Sequence, residues 1–302
     1  MQNYSRLPAI RRLSQVLFLA AFLFLIFRSE FTGSFRGMTG ETRLPWPVSV
    51  FLEADPLNAL STVLATGTLY RGLLWSLVVI VPTFFLGRFF CGWVCPLGSL
   101  NHFFASLRSE KKRGKALIES NRYKPWQSAK YYVLAVVLLA ALFGSLVGGL
   151  VDPISLTVRS LSLSILPAVN YAAGTLLDLL YESPWTVLRR AGDVLQFLMQ
   201  GTLASFRQPH FHQAAFIGLV FVGLLAINLR VTRFWCRAVC PLGALLGLSS
   251  RWSLLHLTKD SSRCDQCNLC LVGCQGGDDP IPGPKWRKAE CHLCFNCVGR
   301  CP

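Results

Sequence analysis

Long apolar runs alternate along the chain with stretches rich in charge and turn residues. The runs cover Leu13–Phe27, with a helical pattern reaching back to Leu7, then Leu73–Phe90, Tyr131–Val151 and Ala214–Leu229. Each approaches the roughly 20 residues a helix needs to cross a bilayer. The pattern therefore predicts four transmembrane helices, with a kink at Pro82 in the second. No small-residue cleavage site follows Phe27, so the first run reads as an uncleaved span rather than a signal peptide. Asp55-Pro56 opens an apolar run from Leu57 to Leu69; Asp at N-cap with Pro at N1 is a helix-start signal, and a capped surface helix at the bilayer interface is expected. Asp152-Pro153 repeats the signal after the third run. Segment 152–213 is expected outside the bilayer, with an amphipathic interfacial helix after Ser183-Pro184 that carries Trp185, Leu188 and Phe197. His210 and His212 close that segment as a solvated pair rather than a metal site.

Composition sharpens this picture. Of 302 residues, 52% are hydrophobic and 15% charged, with a mean hydropathy of +0.44, against about 25% charged in soluble chains. The net charge of +15 is unevenly placed. Residues 1–12 hold three Arg and no acid, and 88–130 hold nine Lys/Arg against two acids. Segments 28–72 and 152–213 are balanced at four against four, and 230–302 hold ten against five. This alternation follows the positive-inside rule, with the basic segments and both termini in the cytosol. It removes any need for a nucleic-acid partner. The basic loop with Lys111, Lys112, Arg113 and Lys115 reads as an orientation signal and a contact for anionic lipid.

All twelve cysteines fall in spaced motifs. Cys264, Cys267, Cys270 and Cys274, and again Cys291, Cys294, Cys297 and Cys301, follow the bacterial ferredoxin spacing C-x2-C-x2-C-x3-C. In two-cluster ferredoxins the fourth cysteine ligates the other cluster. The expected sets for two [4Fe–4S] clusters are thus Cys264, Cys267, Cys270 with Cys301, and Cys291, Cys294, Cys297 with Cys274. Zinc sites use more widely separated C-x2-C pairs, and disulfides need an oxidising compartment; both fit poorly.

The other four cysteines lie in a repeat. Arg88-Phe-Phe-Cys91-Gly-Trp-Val-Cys95-Pro96-Leu-Gly98 matches Arg233-Phe-Trp-Cys236-Arg-Ala-Val-Cys240-Pro241-Leu-Gly243. With the two Asp-Pro pairs, these phrases divide the membrane region into two repeated hairpins, whose shared site is expected where the halves meet. Proline disfavours helix at the residue before it, so each pair is expected at a fraying helix C-terminus, an unfavourable place for a thiolate that Arg88 and Arg233 would offset. A third iron–sulfur centre, a redox dithiol and packed reduced thiols all remain open here.

Two C-x3-C-P motifs followed by a paired ferredoxin motif resemble the NapH-type membrane ferredoxin family, the quinol dehydrogenase components of periplasmic nitrate reductase systems. The layout is also similar to the membrane parts of nitrous-oxide-reductase regulator-type proteins and to cytochrome-oxidase accessory ferredoxins. The resemblance runs from the first span to Pro302. It implies a four-span all-α membrane domain (1–250) and a small α+β two-cluster ferredoxin domain (251–302) in the cytosol, at a bacterial inner membrane. It further implies electron transfer between the quinone pool and redox protein partners such as ferredoxin-like or cytochrome subunits. A maturation or regulatory factor for a respiratory oxidase or reductase is the alternative. His102, just after the first membrane motif, is the candidate for quinone contact or proton transfer. The sequence departs from the family pattern at Gln275, where a proline would follow Cys274, and it stops directly after its last cysteine at Pro302, so a fragment of a longer protein is expected.

Overall fold

The computed structural model describes residues 6–28, 49–69, 72–107, 114–200, 213–260, 262–281 and 286–302. His210, His212, Lys111, Lys112 and Arg113 lie outside them. The principal helices are α1 (Leu7–Arg28), α2 (Pro56–Thr66), α3 (Gly72–Leu86), α4 (Phe89–Trp93), α5 (Pro96–Ser106) and α6 (Ala129–Leu142). They continue as α7 (Pro153–Glu182), α8 (Thr186–Gln200), α9 (Ala214–Ile227), α10 (Phe234–Ala238) and α11 (Pro241–Ser249). One compact unit takes in Met1–Ala20, Ser49–Leu156 and Gly223–Pro302; the other takes in Ala21–Val48 and Thr157–Val222.

Among the described residues, three helices are long and apolar enough to cross a membrane: Leu7–Ile26, Pro125–Leu142 and Pro153–Glu182. The helices Gly72–Leu86 and Ala214–Ile227 are apolar but shorter. The expected four spans are thus not what the structure shows. The segment beginning at Pro153, expected outside the bilayer, forms a 30-residue helix, because its few charges are spread too thinly to interrupt an otherwise apolar stretch. The run expected to continue to Val151 stops at Leu142, where Gly144 turns left-handed (φ 80).

In the first unit, α6 packs against both α2 and α11, which also touch each other. Asp55 caps α2 from an extended conformation (φ −79, ψ 115), its Oδ1 accepting the Leu57 N–H at 2.8 Å. The helix is not a surface helix: Leu57 and Ala59 are buried, and so is Asp55 itself. Gly87 (φ 67) ends α3. The chain after α11 returns to cover that helix end, with Leu254 and Leu255 N–H groups donating to the Phe84 and Phe85 carbonyls (3.3 and 2.9 Å). Carbonyls left over at a helix C-terminus are thereby satisfied.

The second unit contains the helical hairpin of α7 and α8, and the helix expected after Ser183-Pro184 is α8. Here the Tyr181 hydroxyl lies 3.0 Å from Asp193 Oδ1 and 2.6 Å from Gln196 Oε1. The α7 helix carries a π-turn at Leu161–Ile165. Gly218 of α9 approaches it so closely that a Cβ would lie 2.0 Å from Ser164 Oγ.

No sheet forms among the described residues; Arg122 and Asp278 make only an isolated bridge. The expected α+β ferredoxin domain is therefore corrected to an irregular, turn-rich segment. Its backbone turns left-handed at Gln266, Asn268, Leu293 and Phe295, which leaves no run of extended residues to pair.

Candidate functional site

Each Cys-x3-Cys-Pro phrase folds as a short helix, a break and a new helix. Pro96 and Pro241 begin α5 and α11, so Cys95 and Cys240 are N-caps and not residues of a fraying C-terminus. Proline supplies the φ of a first helical turn and needs no N–H partner there. The Cys95 sulfur accepts the Gly98 N–H at 3.5 Å and the Cys240 sulfur accepts the Gly243 N–H at 3.1 Å. A helix N-terminus favours a thiolate, the opposite of the expectation from the local sequence.

The two phrases interlock. Arg88 Nη2 donates to the Cys236 carbonyl at 3.3 Å, and Arg233 Nη1 donates to the Cys91 carbonyl at 2.9 Å, both guanidiniums being fully buried. Each arginine thus serves the cysteine of the opposite repeat. Asn228 Nδ2 donates to Asn101 Oδ1 at 2.8 Å, and Asn101 Nδ2 approaches Cys236 Sγ at 3.6 Å. All four cysteines are buried. Cys240 lies within electrostatic reach of Cys236, Cys91 and Cys95. Burial, and then the neighbouring thiols, push the Cys95 and Cys240 thiols well up; only a cation placed among them would hold them as thiolates at neutral pH.

The sequence expectation missed a second consequence of the repeat. Asp55 and Asp152 are both fully buried, and burial followed by the neighbouring Asp152 charge raises Asp55 well above the usual carboxylate range. Asp152 Oδ2 accepts the Ser155 N–H at 2.7 Å, and Asn58 Nδ2 donates to Ser155 Oγ at 3.3 Å, joining the matching positions of the two Asp-Pro elements. Two buried carboxyl groups this close favour keeping a proton on one of them. The recurrence of Asp-Pro was the available signal.

In the C-terminal segment, Cys274 lies within electrostatic reach of Cys291 and Cys294, and Cys297 within reach of those three. Cys270 is grouped with Cys267 and Cys264. The structure thus brings Cys274 to the second run, whereas Cys301 is exposed. The matching left-handed pairs Gln266/Asn268 and Leu293/Phe295 flank the middle cysteine of each run. Non-glycine residues adopt that conformation at a cost that surrounding structure must offset. The Leu293 and Gly277 amides favour the thiolates of Cys291 and Cys274, against the upward push of burial. Amide cradles around grouped thiols fit an anionic iron–sulfur cluster. Among the described residues no three His, Cys, Asp or Glu side chains converge on a single metal ion.

The second run seats on the membrane motifs. Trp93 Nε1 donates to the Leu293 carbonyl at 3.0 Å, and Arg88 Nη1 to the Ala289 carbonyl at 2.9 Å. Glu290, next to Cys291, is buried against Lys130, the Tyr131 hydroxyl (3.1 Å) and Arg88 (3.5 Å). Arg11 Nη1 donates to Gln275 Oε1 at 2.9 Å.

His102 is half-buried, and burial followed by the charges of Arg233, Arg11 and Arg12 pushes it down to about 3. It is therefore neutral throughout the physiological range. His292, fully buried with neither ring nitrogen bonded among the described residues, is likewise lowered, by burial first and then by Arg88 and Arg233. The unfolded chain protonates both near pH 6.5, while the folded chain does not. Stability should therefore fall as pH drops below 6.5, by up to about 1.4 kcal/mol per histidine per pH unit. Denaturant titrations at pH 7 and pH 5 check this; equal stability at both would contradict it.

A family model described as a 4Fe-4S binding domain matches residues 68–115 and 212–259. Those stretches contain the two Cys-x3-Cys-Pro phrases, one in each repeat. YccM of Escherichia coli, whose name marks it as a candidate electron transport protein, is 26% identical over 265 residues, 85% of this chain and 62% of that protein. The regulatory protein NosR of Pseudomonas aeruginosa is 25% identical over 255 residues, 80% of this chain and 29% of that protein. The ferredoxin-type protein NapH of Escherichia coli is 25% identical over 261 residues, covering 82% and 71%. No solved structure matches the chain. Apolar helices, buried cysteine pairs and these matches define an iron–sulfur electron-transfer protein of the membrane. These matches support a likeness to the NapH-like membrane ferredoxin family, related to NosR-type proteins.

Proposed function

We propose that this protein passes electrons between the quinone pool and a redox protein partner through two [4Fe–4S] clusters. The observation that carries this reading is the direct seating of the Cys291 run on the paired membrane motifs, through Trp93 and Arg88. Cys264, Cys267, Cys270 and Cys301 would hold one cluster, and Cys274, Cys291, Cys294 and Cys297 the other. Bound clusters of this type supply one-electron chemistry at potentials set by charge, hydrogen bonds and burial. The chain's own part is to hold the thiolates, donate backbone N–H groups to them and exclude water. Cys91, Cys95, Cys236 and Cys240 form the candidate third redox site, as a further iron–sulfur centre or a dithiol. In this reading residues 1–250 are the membrane portion and 251–302 the ferredoxin portion. In the same reading the protein sits in a bacterial inner membrane with its termini and ferredoxin portion on the cytosolic side, which the basic segments favour, and with anionic lipid at the basic loop.

The test is anaerobic. Protein in detergent with its clusters intact receives a quinol analogue, and cluster bleaching and EPR signals are followed. Rapid reduction is the expected result. Reduction by dithionite but not by quinol would overturn the quinone link and favour the second reading, a maturation or regulatory factor. That alternative draws on the regulatory name of the NosR relative.

His102 is proposed to contact quinone as a neutral imidazole, kept unprotonated by burial and then by the charges of Arg233, Arg11 and Arg12. His102→Ala should slow quinol-dependent reduction about tenfold or more, within the usual range for loss of a proton-transfer group. Dithionite reduction should be unaffected. An unchanged quinol rate removes His102 from the site.

A further inference from the structure

The two Cys-x3-Cys-Pro phrases differ at the residue after their first cysteine, which is Gly92 in one and Arg237 in the other. Gly92 lies under the Cys291 run, where a Cβ would stand 2.3 Å from the His292 carbonyl oxygen. Arg237 instead reaches the segment after Cys274. Its Nε donates to the Gly276 carbonyl at 3.2 Å and its Nη2 to the Asn121 carbonyl at 3.0 Å. Gly277 adopts a left-handed conformation (φ 88), and any Cβ there would come within 2.2 Å of Arg237 Nη2. Gly277 stands three residues beyond Cys274, on which the Arg237 charge acts. From another side, Arg11 bonds Gln275 and acts on Cys294. Cys270, of the other set, is acted on by Lys259 and Asp278, which pair with each other at 3.0 Å.

Arg237 is buried, and among the described residues no carboxylate forms an ion pair with it. Glu290, which also acts on it, is committed to Lys130 and Arg88. Arginine stays charged in such a setting. Reducing a thiolate-ligated cluster adds one negative charge. Burial alone opposes that, whereas a fixed cation in low-dielectric surroundings favours it.

We propose that Arg237, seconded by Arg11, raises the reduction potential of the cluster held by Cys274, Cys291, Cys294 and Cys297 and leaves the Cys264, Cys267, Cys270 cluster untouched. Arg237, at the position where the other phrase has Gly92, then makes that cluster unequal to the Cys264, Cys267, Cys270 cluster. Arg237 is a positioning residue: it acts through its charge and through the Gly276–Gly277 turn, without touching the cluster ligands' iron.

This inference rests on the ligand sets of the proposed function, and the experiment separates the two. The full chain, its R237Q and R237K variants, and each of these combined with Cys267→Ser to mark the outer cluster, are titrated by EPR-monitored potentiometry with iron counted per chain. R237Q should shift the one-electron equilibrium of the unmarked inner cluster, that of Cys274, Cys291, Cys294 and Cys297, about tenfold toward the oxidised form, which is about 59 mV lower, with the marked outer cluster unmoved. R237K should recover most of the shift. An unmoved inner midpoint, equal shifts in both clusters, or equal shifts in R237Q and R237K would overturn the inference. Should R237Q fail to retain iron, R11Q decides: it should lower the same midpoint, and no change overturns the proposal. Fewer than two clusters in the unaltered protein would instead defeat the ligand assignment itself.

Discussion

Glu290→Ala is expected to cost about 3–5 kcal/mol of stability, the penalty for leaving buried charge unpaired. Lys130 and Arg88 are both fully buried and both face this carboxylate, so its removal strands two cations. Arg88 keeps its bonds to the Ala289 and Cys236 carbonyls, but neutral acceptors do not balance its charge. Glu290→Gln should cost nearly as much, because it preserves shape and the Tyr131 contact yet removes the charge. Replacing Lys130 by Met in the Glu290→Gln background should recover part of the loss. Denaturant unfolding in detergent, with iron retention measured on the same samples, checks the set. A loss below about 1 kcal/mol would place the network in the regime of solvated surface pairs. Because Glu290 adjoins Cys291, the same substitution should loosen the seating of the second cysteine run.

The second large effect is steric. Gly92→Ala and Gly276→Ala would place a Cβ 2.3 Å from the His292 carbonyl oxygen and 1.9 Å from the Glu290 carbonyl oxygen. Both obstacles are backbone, which cannot swing aside as a side chain can. Overpacking of this kind costs about 1–3 kcal/mol, occasionally more, and here it acts at the surface that joins the membrane motifs to the cysteine segment. Lower iron content and reduced stability are expected for each variant. Gly174→Ala in α7 is the control: nothing lies within 4 Å of its Cβ position, and helix propensity favours alanine. Equal behaviour of Gly92→Ala and Gly174→Ala would mean that the Cys291 run does not dock on α4 as described.

Much of the chemistry was legible without a structure. Ligand spacing is a local property, and thiols two and three residues apart can be recognised as a cluster-binding run from the chain alone. The repeat was visible for the same reason, and so were the apolar runs that became α1, α3, α6 and α9. The readings that failed were those in which local signals competed with distant partners. Proline before α5 and α11 was read as ending a helix, when it begins one. Asp55 was read as the cap of a surface helix; it is that cap, but its helix is buried and its second partner is Asp152 in the other repeat. The α+β expectation failed because the cysteine runs turn too tightly to leave strands.

What the sequence by itself determined is the inventory: twelve cysteines in two kinds of motif, a duplicated Arg–Cys–Cys-Pro phrase, and apolar helices to carry them. Tertiary structure alone decided the pairing. Arg88 meets Cys236 and Arg233 meets Cys91 across 148 and 142 residues, and Trp93 meets Leu293 across 200. Neither hydrophobic periodicity nor motif spacing extends beyond a few turns of chain. A contact at such separation depends on which buried surfaces fit, and here Gly92 and Trp93 in one phrase, against Arg237 and Ala238 in the other, give the two phrases different partners.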